Sequence, residues 1–147
     1  MFKLIGHAGG QTEVSAVDMY GSGVIGIGDV VAKKSGLGVI RANDALNSIE
    51  IGNIIGVAAS SINNVGTTSI KVVPIVAGQI WEADCTSNSD ENQILCRNSL
   101  TTAGILANSS TDSKATSGVF LVYKPLGSAS SKKVIGEFVR VTNEFGI

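Results

Sequence analysis

Ser69-Ile70-Lys71-Val72-Val73-Pro74-Ile75-Val76, followed after a turn centred on Gly78 by Gln79-Ile80-Trp81-Glu82-Ala83-Asp84-Cys85, decides the fold class. The first segment is dense in β-branched side chains, whose restricted χ1 suits a pleated strand better than a helix. Pro74 has no N–H to give a ladder, so it predicts an edge or a bulge. In the second segment Trp81, Ala83 and Cys85 share one side and Ile80, Glu82 and Asp84 the other. That alternation predicts a strand with its tryptophan face turned inward.

The rest of the chain repeats this chemistry. Sixteen Ile and sixteen Val stand against eight Leu, and 18 Gly against 2 Pro in 147 residues. Strands are favoured, and the punctuation falls to Gly and Asn, which tolerate positive φ in tight hairpins. Val24–Ala32 reads as one strand, turned back at Lys33-Lys34-Ser35-Gly36 into Leu37–Arg41. Ala42–Ser48 is a helical turn or a loop. Ile49, Ile51, Ile54, Ile55 and Val57 mark another strand, ending at Ala58-Ala59-Ser60-Ser61, and Asn63-Asn64-Val65-Gly66 is read as a turn. Ser89-Asp90-Glu91 opens at most one short helix with Ile94 and Leu95 as its buried residues. Asn108–Ser117 is the clearest exposed, mobile loop, and Gly118–Tyr123 with Val134–Val141 closes the chain as a hairpin around Pro125–Lys133. The expected fold is all-β: a small antiparallel β-barrel or sandwich of about seven or eight short strands. It is divided into an extended N-terminal arm, residues 1–22, and a β-barrel domain, residues 23–147.

Composition excludes several functions. Eleven Lys and Arg against twelve Asp and Glu leave a net charge of -1, so no basic field exists for nucleic acid or an anionic membrane. No apolar run approaches the roughly 18 residues of a spanning helix. Met1–Gly10 lacks a secretory h-region because Gly6, His7, Gly9 and Gly10 interrupt it. The chain is therefore expected to be soluble, to begin at Met1, and to have neither nucleic acid nor membrane as partner.

The reactive motifs are weak. Gly21-Ser22-Gly23-Val24-Ile25-Gly26 spells a dinucleotide fingerprint, but no strand precedes it and β-branched residues follow where a helix should open, so a flexible joint is the better reading. Cys85 and Cys96 match no zinc spacing; two thiols or a disulfide remain open, and the absence of a secretory signal favours thiols. His7 lies in a Gly-rich segment with no aspartate at a telling distance and no Gly-x-Ser-x-Gly elbow, and is read as a solvated arm residue. Glu82 and Asp84 share the outer side of a strand. With nothing to separate their pKa values, they read as solvated acids or as partners in an intersubunit salt link rather than as an acid–base pair. No catalytic, cofactor or metal site is expected, and the chain is read as a non-enzyme. Trp81, Phe120, Tyr123 and Phe138 all fall on strands, where core packing accounts for them.

The run Ile70–Asp84, the segment Gly118–Val122 and the ending Lys132-Lys133-Val134-Ile135-Gly136-Glu137-Phe138 together resemble head decoration, or capsid cement, proteins of tailed bacteriophages. The likeness is one of strand order and phrasing over residues 70–141. It implies a structural virion protein, made in the host cytoplasm and seated on the outer capsid surface. It further implies a homotrimer that binds the major capsid protein, bridges neighbouring capsid subunits and thereby stabilises the shell. Phe2, Leu4 and Ile5 of the arm, with Glu82 and Asp84, are then the expected capsid or subunit contacts. A glycan- or host-surface-binding β module of a virion fibre is the alternative, although its loops would need more aromatics than Tyr20.

Overall fold

The computed structural model describes residues 1–8, 15–42, 54–86, 94–101, 104–106, 118–127 and 132–139. Among them the chain forms ten strands and no α-helix: β1 (Phe2–His7), β2 (Val17–Ile25), β3 (Val30–Lys34), β4 (Gly38–Arg41), β5 (Ile54–Ala58), β6 (Ile62–Pro74), β7 (Gln79–Asp84), β8 (Arg97–Asn98), β9 (Phe120–Pro125) and β10 (Lys133–Phe138). Five make an antiparallel sheet in the order β1-β7-β10-β9-β8, and the other five close into a barrel in the order β2-β4-β3-β5-β6. The all-β expectation holds.

The sheet and the barrel share one core. Phe2, Trp81, Phe120, Val134 and Phe138 of the sheet pack in the same cluster as Val30, Ala32, Ile54 and Val57 of β3 and β5. Val31, Ile55 and Ala58 turn the other way, into the barrel interior with Ile25, Val39, Ile70 and Val72. Val30–Ala32 of β3 and the whole of β5 are therefore covered on both faces, which is why these residues read as unbroken apolar runs. β7 and β10 have one face toward the core and alternate strictly, with Trp81 and Ala83 inward as the sequence predicted. A side chain at Gly56 would strike the Val72 side chain and the Val73 carbonyl oxygen, so glycine is what lets β5 lie this close to β6.

Several expectations are corrected. The stretch 1–22 contains β1 and most of β2 where an arm was predicted. β1 pairs with β7 from Phe2↔Ala83 to His7↔Gln79, and Val17–Gly21 pairs with Val72–Thr68 of β6. An extra residue between Leu4 and Gly6 breaks the alternation of β1, so no period was visible. Gly21–Gly26 is no joint: it runs from within β2 into the turn after it. Val24–Ala32 is not one strand, because the chain turns at Ile27-Gly28, with Gly28 at φ +86° and the Gly26 N–H donating to Asp29 Oδ2 at 2.8 Å. The Lys33–Gly36 hairpin is present as β3–β4 and the closing hairpin as β9–β10.

Asn63–Gly66 lies inside β6. Gly21 pairs with Thr68 but Gly23 with Asn64, so Val65, Gly66 and Thr67 face Ser22 alone in a bulge, which draws on the same residues as a turn. Pro74 ends β6 opposite Gly56 within the closed barrel, and the Ile75 N–H resumes the ladder to the Ile55 carbonyl at 2.9 Å. Ile94 and Leu95 are exposed, in a turn, where burial was predicted. Ile49 and Ile51, the helix opening at Ser89–Glu91 and the loop Asn108–Ser117 lie outside the described residues, as do Ser48 and most of the segment preceding it.

Candidate functional site

The five predicted contact residues separate. Phe2 is only 3% exposed, its ring 5.6 Å from that of Phe120 and 5.2 Å from that of Phe138. It is a core residue, and Leu4 packs against the same cluster. Ile5, the extra residue in the β1 bulge, remains 43% exposed.

Glu82 and Asp84 lie on the outer face of β7, and both find their partner within the chain. Lys133 pairs with Asp84 across β7 and β10, its Nζ donating to Asp84 Oδ1 at 2.7 Å and standing 3.3 Å from Glu82 Oε1. The Met1 amino group donates to Asp84 Oδ2 at 2.7 Å. Burial pushes the Asp84 carboxyl up, but the hydrogen bonds and charges of Lys133 and the amino group outweigh it and hold Asp84 below the usual carboxylate range. The Asp84 hydrogen bond in turn holds the Lys133 ammonium above its ordinary value. Within the chain these contacts form a bridge that ties β7, β10 and the first residue together.

Other chemistry-bearing residues are dispersed. His7 is half-buried: it stands opposite Gln79 at the end of β1, with both ring nitrogens buried and without a hydrogen-bond partner among the described residues. Cys85 is buried and Cys96 half-buried, its thiol 3.6 Å from the Ile94 carbonyl oxygen, and both remain thiols. A cavity of about 270 Å³ opens beside Ile75, Gln79, Trp81, Glu137 and Phe138. The Gln79 amide is already committed there, donating to the Pro74 carbonyl at 2.9 Å and accepting from the Val76 N–H at 2.8 Å. Burial, with Glu137 beside it, pushes the Tyr123 phenol up. Among the described residues no group of three or more His, Cys, Asp or Glu side chains is placed to hold a metal.

The barrel carries a surface the sequence reading missed. Around the β2–β6 bulge, Tyr20 is 69% exposed, Val24 65%, and Val65 fully so, with Leu37 also exposed. Leu37 joins this group because its carbonyl accepts from the Ser22 hydroxyl at 2.8 Å, directly opposite the bulge. The signal was available: Ser60–Ile70 is eleven residues without a charge, longer than the turn read at Asn63–Gly66 accounts for. Further along the β2–β6 ladder, Lys71 Nζ pairs with Asp18 Oδ1 at 2.9 Å.

No protein-family profile matches the chain, and neither does any curated protein. Among solved structures, the fold is similar to the N base of the head fiber protein gp8.5 of bacteriophage phi29. The match has a TM-score of 0.56 at 10% identity, over 86% of this chain and 96% of that one.

Proposed function

We propose that this chain is a structural protein of a tailed-phage virion, attached to the outer surface of the head, where it bridges neighbouring capsid subunits and stabilises the shell. One observation carries the reading: the similarity of its fold, along most of both chains, to a phage head-fiber base. The sequence resemblance to capsid cement proteins was found on other grounds, in the phrasing of residues 70–141, and points to the same class of virion component.

The physics of such a role is undemanding of chemistry. Attachment needs a stiff body and repeated contacts of modest strength, which gain through multivalency across a lattice. This chain has a closed barrel and a sheet around one apolar core, and the role asks for no catalytic group and no cofactor. The major capsid protein is the proposed partner, with the chain acting as a homotrimer.

Heads prepared without the protein, incubated with it and imaged by electron microscopy, should gain density on the outer surface and withstand a higher temperature before releasing their DNA. Bare heads after incubation, together with binding on a glycan array, would replace this reading with that of a glycan-binding fibre module.

A further inference from the structure

We infer that the charge-free rim around the β2–β6 bulge is the surface through which copies of this chain associate, with Tyr20, Val24, Leu37 and Val65 at its centre. The inference deepens the proposed virion role and rests on it only for the expectation that the chain works as an oligomer.

The argument begins with the bulge. Three residues of β6 against one of β2 push Val65 out of the ladder, and Asn64 Nδ2 braces the protrusion by donating to the Gly66 carbonyl at 2.9 Å. Ser22, on the other strand, is tied to the β3–β4 turn through Leu37. A side chain at Gly38 would strike the Tyr20 carbonyl, so the turn also lies directly against Tyr20. Four exposed apolar side chains are thus gathered on a hydrogen-bonded corner of a closed barrel, and fixed geometry lowers the entropic cost of association.

Charge selects the occupant. In a ring of identical subunits, side chains near the axis meet their own equivalents, and any charge there would be repeated against itself. From Ser60 to Ile70 there is none. The charges that border the patch carry both signs, Asp18 paired with Lys71 along β2–β6 and Lys33 and Lys34 on the β3–β4 hairpin, as in the polar rim of an interface whose centre is depleted of charge and holds an aromatic anchor. A second copy of this chain meets such a surface without repulsion, whereas an acidic or basic partner finds no complement in it.

Light scattering coupled to size exclusion, on the full chain at micromolar concentration, tests this directly. The native protein should run at a multiple of its 15.0 kDa chain mass. Val65→Lys alone, and Tyr20→Lys with Val65→Lys, should weaken association by about tenfold or more with unchanged circular dichroism and melting, because both side chains already lie in solvent. Ile5→Lys, on the opposite sheet, should leave the mass unaltered. A native protein of single-chain mass overturns the inference, as do folded variants that keep the native mass. If those variants stay oligomeric yet no longer bind phage heads, the patch belongs to the shell instead. An oligomer that the variants dissociate, but that never binds heads, removes the virion reading and leaves this one standing.

Discussion

Phe138 touches three other rings: Trp81 and Phe120 edge-on at 5.6 and 5.2 Å, and Phe2 tilted at 5.2 Å. Edge-to-face pairs add about 0.5–1.5 kcal/mol each beyond the area they bury. Truncating the residue they share leaves a hole where β1, β7, β9 and β10 meet. Phe138→Ala should therefore cost about 3–5 kcal/mol in urea unfolding, and Phe138→Leu distinctly less; a loss below about 1 kcal/mol for the alanine variant would show that the rings are not cooperating. Asp84 makes a different kind of prediction. Its carboxyl is held below the ordinary value of 3.8, so the stabilisation it supplies is complete above that value and is lost as pH falls through the lower, folded-state pKa. Lys133 is shifted up, so its share is complete below the ordinary value of 10.5 and vanishes only at still higher pH. Between these limits the bridge is intact. Asp84→Asn should flatten the acid limb of the stability curve by no more than about 1 kcal/mol, since solvent screens a half-exposed pair, and added salt should shrink the difference further. An acid limb of unchanged steepness would remove Asp84 from the account.

At the scale of elements, β5 is the most tightly constrained strand, covered by the shared core on one face and the barrel interior on the other. Gly56→Val places a branched side chain against the Val72 side chain and the Val73 carbonyl. Overpacking of that kind costs about 1–3 kcal/mol where neighbours can yield, and backbone yields little, so the variant should reach or exceed the top of that range in a thermal or urea melt. A neutral result would mean that β5 and β6 separate more easily than their pairing implies. The elements also show how much was legible. β7 was, because one face is buried and a period of two survives in Trp81, Ala83 and Cys85. The β3–β4 and β9–β10 hairpins were, because apolar runs flank short polar turns. β1 was not, since its bulge shifts Ile5 outward and leaves Gly6 and His7 where an apolar repeat would be sought. Nor was the N-terminal half of β6, whose Asn-Asn-Val-Gly spells a turn when read locally and becomes a bulge only because β2 is there to pair on both sides of it. Placing Phe2 on an exposed arm was the consequence of the first miss, and the unread Tyr20–Val65 surface the consequence of the second.

At the scale of the molecule, a sheet and a barrel invite the expectation of two folding units, and the packing argues against it. The larger apolar cluster takes side chains from both, and a backbone bond crosses between them, from the Phe2 N–H to the Gly28 carbonyl at 2.8 Å. Neither layer can open without exposing the apolar face of the other, which is the condition for a single cooperative transition. Trp81 reports on the sheet and Ile54 lies on the barrel side of the same cluster. Ile54→Ala should cost about 2–5 kcal/mol and move the denaturant midpoint equally whether followed by tryptophan fluorescence or by far-ultraviolet circular dichroism. Midpoints that separate, with fluorescence unmoved by a barrel mutation, would divide the molecule into two independent units. A body that yields only as a whole transmits load from the sheet to the barrel, and that rigidity is what the proposed bridging role asks of it.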